Sequence, residues 1–312
     1  MSQTEPTDEI GDLLQKTSRT FALTIPLLPE PTRTEVGIAY LLFRIIDTFE
    51  DATLWTPDQR IEALGRFVEL LDGPPAAAAW MVERCAREPP IDHAGYRELL
   101  AKIPAVLTAF QRLQIGARSP IRKHLARSAE GMSGFVARGD GPNGLQLGTL
   151  EDLRDYCYVV AGIVGEMLTE LFLLGRPSLV AVAEELRNRA AQFGEGLQLV
   201  NILKDVRPDA AEGRVYLPRK TSPGEVFALT GEDLAVAGEY TELLRTGGAE
   251  PGLVGFNAFI TKLAVGTLQL LREQGFGAKL SRLQVAKIAA EVTHAIGQGR
   301  PLFEPRGLSI AG

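Results

Sequence analysis

Cysteine, histidine and clustered basic charge are what this chain has little of. Two cysteines, Cys85 and Cys157, occur in 312 residues, which excludes a disulfide framework. The three histidines, His93, His124 and His294, stand in no metal-ligand spacing, so a zinc site is not expected. The formal net charge is −6 and no basic run is long enough to track a phosphate backbone, so nucleic acid is excluded as a partner. No uncharged run approaches the length of a transmembrane helix. The first ten residues, MSQTEPTDEI, are acidic and polar, unlike a secretory leader. There is no internal repeat, no low-complexity linker and no Rossmann glycine fingerprint. These absences point to a monomeric protein of the cytoplasm, with peripheral contact at the inner membrane left open.

Helical periodicity is present through most of the chain. It predicts helices over residues 32–51, 57–72, 93–114, 117–137, 150–174, 178–206, 253–274 and 282–298. Pro31-Thr32 and Thr56-Pro57 are helix starts with Pro at or near the first turn. Alternating strand patterns are scarce. The Gly/Pro-rich stretches are short and read as loops between helices. The expectation is a single all-α domain over 1–312, its long helices forming a barrel around a central cavity.

Two acidic pairs dominate the chemistry. Asp47 and Asp51 lie in DTFED, Asp205 and Asp209 in NILKDVRPD. Spacing i, i+4 puts each pair on one helix face, about 6 Å apart along the axis. Each pair ends a polar stripe: Tyr40, Arg44, Asp47, Asp51 in the first, and Gln198, Asn201, Asp205, Asp209 in the second. Apolar residues flank both, Leu41, Leu42, Ile45 and Ile46 in one and Leu199, Val200, Ile202 and Leu203 in the other. Buried carboxylates are costly unless paired or metal-bound. Two facing pairs make sense around Mg²⁺, which takes one or two carboxylates plus substrate phosphates. Metal there would neutralise a leaving diphosphate and promote its ionisation to an allylic cation. Arg44 has the fork to bind phosphate oxygens. Lys204, Arg207 and Arg214 accompany the second pair, and Asn201 and Gln198 add ligands or orient water. The bland alternative is two solvated acidic faces with local salt bridges.

Three further signals have two readings each. Tyr156 on an apolar helix is either a core residue or a group that stabilises a cation or exchanges a proton. Ala161, Gly162 and Gly165, in YCYVVAGIVGEMLTELFLL, admit the close approach of either a ligand or another backbone. Ser18, Thr20 and Phe21 form a polar patch, or Ser and Thr cap a helix. Pro208 disfavours helical geometry just before Asp209 and predicts a kink there.

Five blocks together resemble the squalene/phytoene synthase family of head-to-head prenyltransferases: SRTF (18–21), YLLFRIIDTFED (40–51), YCYVVAGIVGE (156–166), LQLVNILKDVRPD (197–209) and GRVYLP (213–218). They occur in family order across most of the chain. The resemblance implies an isoprenoid-synthase fold, Mg²⁺, and condensation of two prenyl diphosphates through a cyclopropylcarbinyl diphosphate. It implies that Asp47, Asp51, Asp205 and Asp209, with Asn201, hold the metal, and that Tyr156 handles a proton. It implies substrate contacts from Ser18, Thr20 and Phe21, which form a flap over diphosphate, and from Tyr40, Arg44, Gln198, Asn201, Lys204 and Arg214. Lys204 stands where the family usually has arginine, and Pro208 where an acidic residue is common. DTFED after YLLFR, with GMSGF at 131–135, is more similar to squalene synthases. YCYVVAGIVGE and GRVYLP are more similar to bacterial carotenoid-type enzymes. The leading expectation is two farnesyl diphosphates converted to presqualene diphosphate and reduced to squalene with NADPH, with Lys279 and Arg282 at the cofactor. The alternatives are a dehydrosqualene or phytoene synthase without net reduction, an enzyme that stops at presqualene diphosphate, and a prenyl-lipid-binding protein. RPLFEPRGLSIAG at the C-terminus does not resemble the membrane anchor of eukaryotic squalene synthases.

Overall fold

The computed structural model describes residues 6–18, 20–139, 145–211 and 214–304. Among these there is no β-strand, only an isolated bridge between Gln146 and Val215. The all-α expectation holds. By packing, the chain divides into one unit of Met1–Pro26 with Glu30–Asp140, and a second of Leu27–Pro29 with Gly141–Gly312.

The first unit holds α1 (Pro6–Thr17), α2 (Phe21–Thr24), α3 (Thr32–Glu50), α4 (Pro57–Leu70), α5 (Ala79–Arg87), α6 (Ala94–Ala101), α7 (Ile103–Arg112) and α8 (Ile115–Arg138). Helix α3 is its centre, in contact with α1, α4, α6, α7 and α8. Leu41, Leu42, Ile45, Ile46 and Phe49 are all fully buried, a one-sided stripe at helical period. Thr56 and Gln59 close a capping box at the start of α4, with Pro57 in its first turn. The helix expected over 93–114 is instead two, α6 and α7, broken at Lys102. Pro104 explains the break: it lacks the N–H that would reach the Leu100 carbonyl, and its ring crowds that carbonyl.

The second unit holds α9 (Leu150–Cys157), α10 (Ile163–Leu173), α11 (Ala183–Ala211), α12 (Pro223–Thr246), α13 (Pro251–Gln274) and α14 (Arg282–Gly297). A π-turn, Tyr158–Gly162, joins α9 to α10. Helix α11 packs on α10, α12, α13 and the π-turn. It runs through Pro208 to Ala211, although an end at 206 was expected. Pro208 lies in the last turn, where its missing N–H deprives only the Lys204 carbonyl. Helix α12 was not anticipated, because its Pro-Gly start reads as a loop; its signal was the capping box between Ser222 and Glu225. Segments Leu150–Leu173 and Pro251–Gln274 are long and apolar enough to cross a membrane, yet 56 % and 61 % of their apolar windows are buried inside the protein. Core packing accounts for that apolarity.

The small residues after Tyr156 admit another backbone. A Cβ on Gly165 would sit 2.0 Å from the Ala190 carbonyl oxygen, and one on Gly194 would sit 2.0 Å from that of Ala161. Helix α10 and the π-turn thus meet α11 main chain to main chain. Gly165→Ala or Gly194→Ala must push two backbones apart and should destabilise by about 3 kcal/mol or more. Gly134→Ala, on α8 with nothing within 4 Å of its Cβ, should be neutral or stabilising by up to about 1 kcal/mol. Denaturant unfolding of the three variants checks this. Equal stability of all three would contradict the close-packed crossing.

Candidate active site

The first polar stripe lies half-exposed on α3, between flanks with no exposure at all. Arg44 organises it. Its Nε donates to the Tyr40 hydroxyl at 3.3 Å, and Nη1 lies 3.5 Å from Asp47 Oδ2. The guanidinium stands 5.5 Å from the ring centres of both Tyr40 and Tyr96, within cation–π reach. Tyr40 in turn donates to the Thr17 carbonyl at 3.0 Å, and its ring meets Phe21 at 5.2 Å. Burial opposes the charge of Arg44, but Asp47, Tyr40 and Tyr96 together more than restore it. Burial pushes the Asp47 carboxyl up to about 6; Arg44 pulls it down and the like charge of Asp51 adds to the rise. Asp47 keeps 30 % of its side-chain exposure, so the rise reflects the protein around it and not full enclosure. Asp51 caps α3, its N–H donating to the Asp47 carbonyl at 2.8 Å.

Ser18 behaves as a cap: its Oγ accepts from the Phe21 N–H at 2.9 Å. Thr20 does not cap α2 through its side chain; its carbonyl accepts from Thr24 Oγ1 instead. Arg19 lies outside the described residues. Tyr96 completes the Arg44 cage from α6 and was not anticipated. Fifty residues separate it from the stripe, and only the tertiary fold joins them.

The second stripe lies near the end of α11. Leu199, Val200, Ile202 and Leu203 are buried, whereas Gln198, Lys204 and Asp205 are half-exposed and Asn201 is exposed. Lys204 Nζ bridges Asn201 Oδ1 at 3.1 Å and Asp205 Oδ2 at 3.1 Å. Amide, ammonium and carboxylate therefore form one cluster on one face. Asp209 belongs to the same helix, and its side chain lies outside the described residues. Arg214 is half-buried.

Tyr156 lies in the last turn of α9, two residues before the π-turn, and is buried. Its ring stacks on Tyr216 at 4.8 Å, which brings the YCYVVAGIVGE and GRVYLP blocks together. Lys279 is exposed in the turn after α13, and Arg282, also exposed, opens α14. A cleft of about 900 Å³ in the second unit is lined by Arg189, Glu239, Glu242, Arg245, Lys262 and Phe303 among others. None of the expected site residues lines it. Glu195 on α11 and Asp233 on α12 are two further carboxyls that sequence reasoning missed, both buried.

The family model of squalene/phytoene synthase matches residues 14–250. The squalene synthase of Schizosaccharomyces pombe is 30 % identical over 211 residues, 67 % of this chain and 43 % of that protein. The chain spans about half the length of the curated relatives it matches. A solved structure of TcSQS with the ligand BPH1237 superposes with a TM-score of 0.78 at 27 % identity, covering 95 % of this chain and 89 % of that one. The squalene synthase HpnC from Alicyclobacillus acidocaldarius, at 19 % identity, shares the fold with a TM-score of 0.55, covering 86 % of this chain and 94 % of that one. With both aspartate motifs, Tyr156 and the GRVYLP block inside the matched span, the chain belongs to the squalene/phytoene synthase family.

Proposed function

We propose that this protein is a squalene synthase. It joins two farnesyl diphosphates to presqualene diphosphate and reduces that to squalene, with Mg²⁺ and NADPH. The observation that carries the reading is the pair of half-exposed carboxylate stripes, each with its own cation, at Arg44–Asp47 and Lys204–Asp205. Relatives named squalene synthase support the choice within the family.

The donor set fits Mg²⁺. Each stripe offers a pair of hard oxygen ligands. That suits an ion which takes few carboxylates and leaves positions for water and phosphate. When bound, the metal neutralises the diphosphate as it departs. Asp47 and Asp51 would hold metal at the α3 stripe, and Asp205 and Asp209, with Asn201, at the α11 stripe. Arg44 is already aimed by Tyr40 and Tyr96, so its fork meets phosphate oxygens at little entropic cost. Lys204 supplies a point charge that exchanges Asn201 and Asp205 for phosphate. Gln198 and Arg214 add substrate contacts, and Ser18, Thr20 and Phe21 form a flap over the diphosphate. Tyr156, with its ring against Tyr216, serves the later steps: the ring stabilises positive charge and the hydroxyl handles a proton. Lys279 and Arg282 would bind the phosphates of NADPH, Arg282 with help from the α14 N-terminus. Partners beyond these small molecules are not required, although a very apolar product suits peripheral contact with a membrane.

Asp47→Asn and Asp205→Asn should each cut condensation by orders of magnitude, as should excess chelator on the unaltered protein. Full turnover in any of the three would remove the metal assignment. Asp47→Asn should also stabilise the metal-free protein. The folded value of about 6 lies above the ordinary 3.8, so stability falls as pH rises from about 4 to 6 and stays low above. The amide removes that loss and should add about 1–2 kcal/mol at pH 8 and almost nothing at pH 4. Tyr156→Phe should leave substrate affinity nearly unchanged while total product falls or presqualene diphosphate accumulates. A large loss of diphosphate affinity would contradict its placement. Finally, farnesyl diphosphate with Mg²⁺ alone should give presqualene diphosphate or hydroxylated and dehydro products, and added NADPH should divert the flux to squalene. Lys279→Ala with Arg282→Ala should raise the KM for NADPH only. The same products with and without NADPH would favour the dehydrosqualene or phytoene synthase alternative.

A further inference from the structure

The segment Gly194-Glu195-Gly196 is clamped between two neighbours. A Cβ on Gly194 would strike the Ala161 carbonyl of the π-turn at 2.0 Å, and one on Gly196 would meet Asp233 Cβ and carbonyl carbon on α12 at 3.1 Å. The side chain between them lies against the turn: Glu195 Oε1 is 3.2 Å, and its Cγ 3.3 Å, from where a Cβ on Gly162 would stand. Two carboxyl groups therefore occupy a main-chain crossing where apolar side chains would be expected. Glu195 is 7 % exposed and Asp233 is 1 % exposed. Asp233 Oδ1 receives Gln192 Nε2 at 3.4 Å, while its Oδ2 is buried with no hydrogen-bond partner. A fully ionised carboxylate with a bare buried oxygen is costly.

Opposing charge is scarce. Arg154 on α9 lies 4.0 Å from Glu195 Oε2 and is itself 44 % exposed. The other titratable groups acting on the two carboxyls are acidic or neutral: Asp155 on α9, Glu166 on α10 and Glu232 on α12. The Cys157 thiol at the end of α9 feels both carboxylates. Glu166 is engaged by the Tyr158 hydroxyl at 3.0 Å.

We propose that Glu195 and Asp233 each hold a proton behind the π-turn that follows Tyr156, and that this neutral state keeps the turn seated on α11 for turnover. They are positioning residues: they reach Tyr156 through the turn and do not touch substrate. Loss of these protons to solvent, past the exposed Arg154, leaves two carboxylates that Arg154 alone opposes and loosens the crossing. Burial pushes Glu195 up to about 7, with Asp233 adding to the rise and Arg154 opposing it. Burial also pushes Asp233 up to about 6, against Arg154 and Gln192. Both values lie above those of ordinary carboxyls, so the folded state binds these protons more tightly. The stability they confer is present at low pH and is lost as pH rises through about 7.

The kinetic part of this proposal rests on the role given to Tyr156 above; the stability part does not. The test compares the full-length protein with Glu195→Gln and Asp233→Asn, measuring the unfolding midpoint and steady-state turnover from pH 5 to 8.5. The unaltered protein should lose stability across that window. Its kcat on farnesyl diphosphate should fall about tenfold between pH 6 and 8 with KM unchanged. Glu195→Gln should show a flatter midpoint profile and hold its kcat to pH 8. Profiles parallel to those of the unaltered protein would overturn the proposal. So would failure of both amide variants to fold at pH 6, since a neutral isostere must replace a neutral carboxyl. Loss of turnover in Glu195→Gln at every pH with a native midpoint would overturn it as well. If the unaltered protein converts no prenyl diphosphate, the functional reading fails, and the midpoint profiles alone still decide this one.

Discussion

A helix whose apolar flanks are buried cannot rotate the polar stripe between them into open water. That constraint governs both acidic stripes. On α3, Leu41, Leu42, Ile45 and Ile46 are fully buried, each contributing about 1.5–3 kcal/mol. Holding Asp47 where its carboxyl rises from 3.8 to about 6 costs at most about 3 kcal/mol, at 1.36 kcal/mol per pH unit. The apolar flank wins by a wide margin, so the carboxylate stays in an environment it would not choose. A carboxylate held at such a loss is set to gain from a cation. On α11 the buried Leu199, Val200, Ile202 and Leu203 fix the register of the exposed Asn201 and the half-exposed Lys204 and Asp205.

Arg44 shows how a local stripe becomes a shaped site. Its position one turn before Asp47 was legible from spacing. Tyr96 was not, because the second ring of the cage arrives on α6. Helices α3, α4, α13 and α14 were legible from their apolar period, which in α4 agrees with a first-turn Pro and a capping box. Helix α12 and the break at Lys102 were not. In α12 a Pro-Gly start hid a capping box, and at Lys102 an uninterrupted apolar pattern hid the effect of Pro104. The glycines after Tyr156 left two readings open, and the structure decides for a second backbone. Glu195 and Asp233 carried no sequence signal at all, since an acid among apolar neighbours on a helix usually marks its solvent face.

The π-turn links these observations. It inserts one irregular turn, Tyr158–Gly162, two residues after Tyr156, and such turns recur at functional sites. Gly165 and Gly194 let that segment press on α11, the helix that carries the second acidic motif. The placement of Tyr156 and that of Asp205 thus depend on the same close crossing within one unit. Tyr216 adds a fixed ring from the loop that follows α11.

The central claim is that the two carboxylate stripes bind divalent metal together with diphosphate. Anomalous diffraction from crystals grown with Mn²⁺ and a non-hydrolysable farnesyl thiodiphosphate tests it most directly. The account predicts Mn²⁺ peaks within about 2.0–2.3 Å of carboxylate oxygens from Asp47 or Asp51 and from Asp205 or Asp209, with diphosphate oxygens completing the coordination. Well-ordered diphosphate bound with no metal at either stripe, or Mn²⁺ coordinated only by other side chains, would contradict it.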